Sequence, residues 1–84
     1  MYGDTAIVIL NLLKRNFTAD LEIPLGISAN ELVIALNTAY ELGIDTSDIK
    51  NCYLKSENPI ALLKGNKTLL EFGLRNGSII NYTE

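Results

Sequence analysis

With 84 residues the chain has the length of one domain, near the lower limit of what folds unaided. An apolar fraction of 48% suits a packed core and excludes a disordered chain. The net charge of −3, with seven basic residues scattered and only Lys14 and Arg15 adjacent, lacks the concentrated basic face that phosphate backbones require, which argues against nucleic acid as a partner.

The chain has no histidine, so the commonest general base and the commonest metal ligand are missing. Cys52 is the only cysteine, which rules out an internal disulfide and a C-x-x-C metal or redox motif. With no imidazole to activate it, Cys52 reads as a small buried hydrophobe. Asp45 and Asp48 are expected to cap a turn around Thr46 and Ser47 rather than to bind a metal. No catalytic residue, cofactor or metal is therefore expected. The start, Met1-Tyr2-Gly3-Asp4, lacks the positive region of a signal peptide, and the apolar run from Ala6 to Leu13 is broken by Asn11. That run is far shorter than the ~20 residues a membrane helix needs, so direct membrane insertion is not expected and a cytoplasmic location is.

In chain order, Thr5 to Leu13 is rich in β-branched and aliphatic residues and predicts a buried strand. Lys14-Arg15-Asn16 predicts a three-residue hairpin loop with Asn16 left-handed. Phe17 to Ile23 alternates apolar and polar residues, as in a strand with one solvated face, and Pro24 ends it. Ser28-Ala29-Asn30-Glu31 carries the capping-box pattern and opens a helix expected over 29–42, with Gly43 beyond its end. Leu32, Leu36 and Ala39 mark its apolar face, while Asn30, Asn37, Thr38 and Glu41 mark the wet one, with Ile34 near it. Asn51 to Lys55 predicts a strand, Ser56 to Pro59 a turn, and Ile60 to Lys64 another strand. Lys67 to Gly77 reads as a short apolar turn closed by an Asn-Gly corner, and Ser78 to Tyr82 as a terminal strand. The order is β-β-α-β-β-turn-β.

Thr68-Leu69, the aromatic Phe72, Leu74, the Asn76-Gly77 corner and the terminal strand together resemble the end of ubiquitin-like β-grasp domains. The resemblance implies an α+β fold: a mixed sheet of four to five strands packed on one helix, the last strand parallel to the first. Leu21, Ile23, Leu32, Leu36, Leu69, Ile80 and Tyr82 match its core positions. The sequence here runs only to Thr83 and Glu84, without the diglycine whose carboxylate is activated in conjugated relatives, so conjugation is not expected. Within that superfamily the chain is most similar to the YukD/EsaB proteins of type VII (WXG-substrate) secretion in Gram-positive bacteria. The features are the Met-Tyr-x-Asp start, the strand–helix spacing, and Leu69 followed by Gly73-Leu74 and Asn76-Gly77. This similarity implies a non-catalytic interaction module with protein partners, a secretion component or a second copy of the chain among them. The other readings are a carrier coupled to an adenylating enzyme and an adaptor unrelated to secretion.

The first strand offers two faces. Ala6, Val8, Leu10 and Leu12 form one set; Thr5, Ile7, Ile9 and Asn11 form the other. Composition favours the first set inside, because it is wholly apolar. A ubiquitin-like hairpin with Asn16 as its left-handed residue favours Ile7 and Ile9 inside; both faces stay open, either leaves at least two large aliphatic side chains outside, and the second arrangement is preferred. It leaves Val8, Leu10 and Leu12 on the sheet face away from the helix. If Ile80 and Tyr82 point inward, Ile79 joins them as a candidate protein-interaction surface.

Overall fold

The computed structural model describes residues 4–83. Tyr2 and the terminal Glu84, both weighed from the sequence, lie outside the described residues. Strand β1 spans Thr5–Leu12 and β2 spans Phe17–Pro24, antiparallel to it. Leu13–Arg15 form one tight 3-10 turn between them, and Asn16 closes it at φ 53°, its N–H donating to the Leu13 carbonyl. Helix α1 runs Ala29–Tyr40, β3 is Leu54–Glu57, β4 is Ala61–Leu63, α2 is the single turn Leu69–Phe72, and β5 is Ile79–Tyr82. The sheet order is β2-β1-β5-β3-β4, with β5 parallel to β1 and antiparallel to β3. The last strand therefore takes the central place that the ubiquitin-like resemblance implies, and all five strands form one mixed sheet.

The parity of β1 is the reverse of the expected one. Ala6, Val8, Leu10 and Leu12 are buried, whereas Ile7 is 53% exposed and Ile9 half-buried. The cause is register. Leu13 belongs to the loop rather than to the strand, so Leu12 pairs with Phe17, Leu10 with Ala19, Val8 with Leu21 and Ala6 with Ile23. Residues directly across a ladder share a face, and moving the loop by one residue turns every β1 side chain over. Because Ile23 faces the core, so must its partner Ala6 and every second residue after it.

Two helix starts brace each other under the sheet. Ser28 accepts from the Glu31 N–H while the Glu31 carboxylate accepts from the Ser28 N–H, completing the expected capping box. Thr68 and Glu71 repeat the device at α2. The segments are joined by an isolated bridge between Ser28 and Thr68, and by Ala29 N–H to the Lys67 carbonyl and Leu69 N–H to the Ile27 carbonyl. These bonds use amide hydrogens that a helix start would otherwise leave unpaired. Gly73, at φ 84°, closes α2 in the left-handed conformation glycine tolerates best, donating to the Leu69 and Leu70 carbonyls.

Helix α1 ends two residues before its expected limit, with Glu41 rather than Gly43 in the left-handed closing position at φ 52°. The guanidinium of Arg15, in the β1–β2 loop, donates to the carbonyls of Tyr40 and Glu41, and the Leu42 N–H donates to the Asn37 carbonyl. Asn37, read as solvated, is part-buried. Its amide donates to the Ile44 carbonyl and accepts from the Ile44 N–H, pinning the chain after the helix. Residues Thr46–Asn51 then form a kinked 3-10 segment, and the third strand begins later than expected, at Leu54.

Between α1 and the sheet lies the core: Val8, Leu10, Leu12, Ile23, Leu32, Val33, Leu36, Leu54, Leu63, Leu69 and Ile80 are all buried, with Leu21 and Tyr82 partly so. Cys52 is buried as expected, its Sγ 3.5 Å from the carbonyl oxygens of both Asp45 and Asp48.

Candidate protein-interaction surface

The sheet face turned away from α1 is built by strand alternation alone. Pairing sets its residues in rows that cross the strands. One row is Asp20, Ile9, Ile79 and Glu57, on β2, β1, β5 and β3 in turn. Beside it, Thr18, Asn11, Asn81, Lys55 and Leu62 make a second row that reaches β4. On the other side, Ile7 pairs with Glu22.

Ile7, Ile9 and Ile79 thus stand together at the middle of the sheet. Ile79 lies on this face as expected, because Ile80 and Tyr82 turn inward beside Leu10 and Leu12. Val8, Leu10 and Leu12, the other residues expected here, are instead at 0–1% exposure in the core. Ile7 and Ile9 replace them on the outer face. They were missed because the register of the first hairpin, and with it the face of every β1 residue, hung on one loop position.

The second row is held by a chain of side-chain hydrogen bonds that crosses four strands. The Thr18 hydroxyl donates to Asn11 Oδ1 at 3.0 Å, and Asn11 Nδ2 donates to Asn81 Oδ1 at 2.9 Å. Asn81 Nδ2 then donates to Glu57 Oε2 at 2.6 Å. At the other end of the face, the Ile7 N–H donates to the Asn76 side-chain oxygen, and the Gly77 N–H to the Ile7 carbonyl. The Asn-Gly corner, with Gly77 at φ 90°, thereby joins β1 to the start of β5.

At one end of the sheet an open cleft of about 640 Å³ lies between the β1–β2 loop, the 3-10 segment and the end of β5, with Leu13, Ile44, Asp45, Asp48, Tyr53 and Tyr82 among its walls. Asp45 accepts from the Ser47 hydroxyl at 2.6 Å and from the Ser47 N–H, as expected of a turn cap, and these bonds hold its carboxyl below the ordinary range. Asn51 donates to Asp48. The carboxylates are thus occupied in shaping the loop. Aliphatic side chains, amides and carboxylates on an open sheet face suit adhesion to another macromolecule. No helix among the described residues is long and apolar enough to cross a membrane.

This topology and this sheet define a ubiquitin-like domain of the β-grasp class. The ubiquitin-like domain of mouse tubulin-specific chaperone e has the same fold, with a TM-score of 0.75 at 11% identity over 99% of this chain and 89% of that one. Tubulin-binding cofactor B of Trypanosoma brucei gives 0.64 at 11% identity, over 96% and 95% of the two chains. The ubiquitin-like domain of the type VII secretion protein ECCD1 of Mycobacterium tuberculosis gives 0.55 at 18% identity, over 96% and 99%. No curated protein matches the chain in sequence. The family model described as "WXG100 protein secretion system (Wss), protein YukD" matches residues 7–81, and the chain belongs to that family.

Proposed function

We propose that the chain is a non-catalytic interaction module and an accessory component of a type VII (WXG-substrate) secretion system, working in the cytoplasm of a Gram-positive bacterium. Its outer sheet face, centred on Ile7, Ile9 and Ile79, is where a protein partner docks. The observation that carries this reading is the contiguous aliphatic patch at mid-sheet, on a member of a secretion-associated family. Solvent-facing aliphatics on three neighbouring sheet positions gain little for the isolated domain, whereas covering them on association removes apolar area from water.

The experiment is a complementation. A strain lacking the gene is supplied with the parent or with Ile79→Lys, and export of a WXG substrate is measured alongside the far-UV circular dichroism of the purified variant. A folded Ile79→Lys protein should fail to restore export. Full restoration by that variant would remove the docking face from the proposal, and unimpaired export in the deletion strain would remove the secretion role.

A further inference from the structure

The charges around the apolar patch select its partner. Three carboxylates, Asp20, Glu22 and Glu57, face outward from the strands around it, against a single ammonium, Lys55. The row Asp20–Ile9–Ile79–Glu57 puts a carboxylate at each end of the apolar pair. Four adjacent strands separate the end residues by about 14 Å. Among the described residues the Asp20 carboxylate has no hydrogen-bond or ion-pair partner, its backbone alone pairing within the β1–β2 ladder. Glu57 receives only a neutral amide, from Asn81, and Glu22 only the Thr5 hydroxyl. Three carboxylates against one ammonium leave this face with an excess of negative charge, a poor match for phosphate or an anionic membrane and a good one for a cationic segment.

We propose that the outer face binds an amphipathic helix of a partner protein that lies across the strands. The helix seats one large aliphatic side chain between Ile9 and Ile79 and carries Lys or Arg one turn before it and one turn after. The inference rests on the docking face proposed above and adds the chemistry of its occupant. Positions four residues either side of the anchor lie about 6 Å along a helix axis in each direction, and the long basic side chains reach the remaining distance to Asp20 and Glu57. A helix satisfies its own backbone hydrogen bonds. An extended segment crossing above the sheet would leave its amides unpaired over isoleucine, which is costly.

The test uses three synthetic helical peptides of about four turns. One has a leucine bracketed by arginines at the spacing above, the second has glutamates in place of the arginines, and the third has the arginines moved by two residues. Binding to the isotopically labelled protein is followed by amide shifts, with affinity measured at low and high salt. The first peptide should shift Ile7, Ile9 and Ile79, weaken as salt rises, and bind more tightly than the other two. The double variant Asp20→Asn, Glu57→Gln retains acceptors for hydrogen bonding and should weaken binding by roughly 2- to 30-fold, as expected for two exposed ion pairs. Ile79→Lys should abolish it. Equal binding of the glutamate peptide, shifts confined to another surface, or no binding at all would overturn the inference. So would a dimer of the peptide-free protein that Ile79→Lys disperses, because a second copy would then be the occupant. These outcomes are separate from complementation: an export-defective Ile79→Lys strain with a charge-insensitive face would retain the docking role and discard the cationic helix.

Discussion

Lysine substitutions at adjacent positions of β1 separate the two faces energetically. Val8 is fully buried among apolar side chains, opposite Leu21, and a lysine there has no route to water from the middle of the sheet. The least costly response is to lose its proton. Holding a group with an ordinary pKa of ~10.4 neutral at pH 7 costs about 4.6 kcal/mol, at 1.36 kcal/mol per pH unit. Overpacking of the site adds roughly 1–3 kcal/mol. A domain of this length has about 4–13 kcal/mol in total, so Val8→Lys should be unfolded or close to it. Ile9→Lys keeps its aliphatic stem beside Ile79 and its ammonium beside Asp20, and the change should stay within about 1 kcal/mol. Urea unfolding followed by circular dichroism reads the difference. With a slope of ~1–3 kcal/mol/M, the two midpoints should differ by at least ~1.5 M. A Val8→Lys protein as stable as Ile9→Lys would refute the register from which the outer surface is built.

Leu36→Ala, in the buried face of α1, should cost ~2–5 kcal/mol in the same assay, because truncating a buried leucine of the core leaves a cavity; a parental midpoint would contradict the packing. Asn37→Ala should cost ~1–3 kcal/mol by leaving the Ile44 N–H and carbonyl without their partner, and should speed hydrogen exchange at Ile44 while sparing β1. Glu71 has its pKa lowered by the hydrogen bonds from Thr68, the backbone N–H first and the hydroxyl second. A lowered folded-state value means stability that is present above the ordinary glutamate value of 4.5 and is lost as pH falls through the lowered one. Glu71→Gln should therefore flatten the acid limb of the thermal-stability profile below that pH, and an unchanged limb would show that the capping box does not act there.

The α+β order, the capping box at Ser28 and the turn capped by Asp45 were legible because each depends on neighbours within four residues. The central place of β5 was legible only through resemblance, since nothing local to Ile79–Tyr82 states which strand it joins. The face of β1 was misread for a different reason. Leu13 is as apolar as the strand before it, so no chemical signal separates the last ladder residue from the first loop residue, yet that boundary orients eight side chains. Ile79 was placed on the outer face through the match of Ile80 and Tyr82 to core positions, since neighbours along a strand alternate in face, whereas the polar Ser78 beside it is fully buried and gives no such signal; Val8, Leu10 and Leu12 inherited the slip. The early end of α1 had no local signal either. The bond from Arg15 comes from a loop 25 residues upstream, and it satisfies carbonyls that would otherwise call for glycine.

The hydrogen-bond chain from Thr18 through Asn11 and Asn81 to Glu57 has a direction: every link donates toward β3 and the last acceptor is a carboxylate. None of its members can turn without breaking a link on at least one side, so this half of the face has spent its side-chain entropy before any partner arrives. A surface fixed in this way behaves as a ruler rather than a glove. Its own atoms will not shift to accommodate a poor ligand, and discrimination falls on the spacing of groups in the incoming chain. Binding should then show little ordering cost on this side, and single-residue shifts in a partner's register should be rejected more sharply than changes in the size of its anchor.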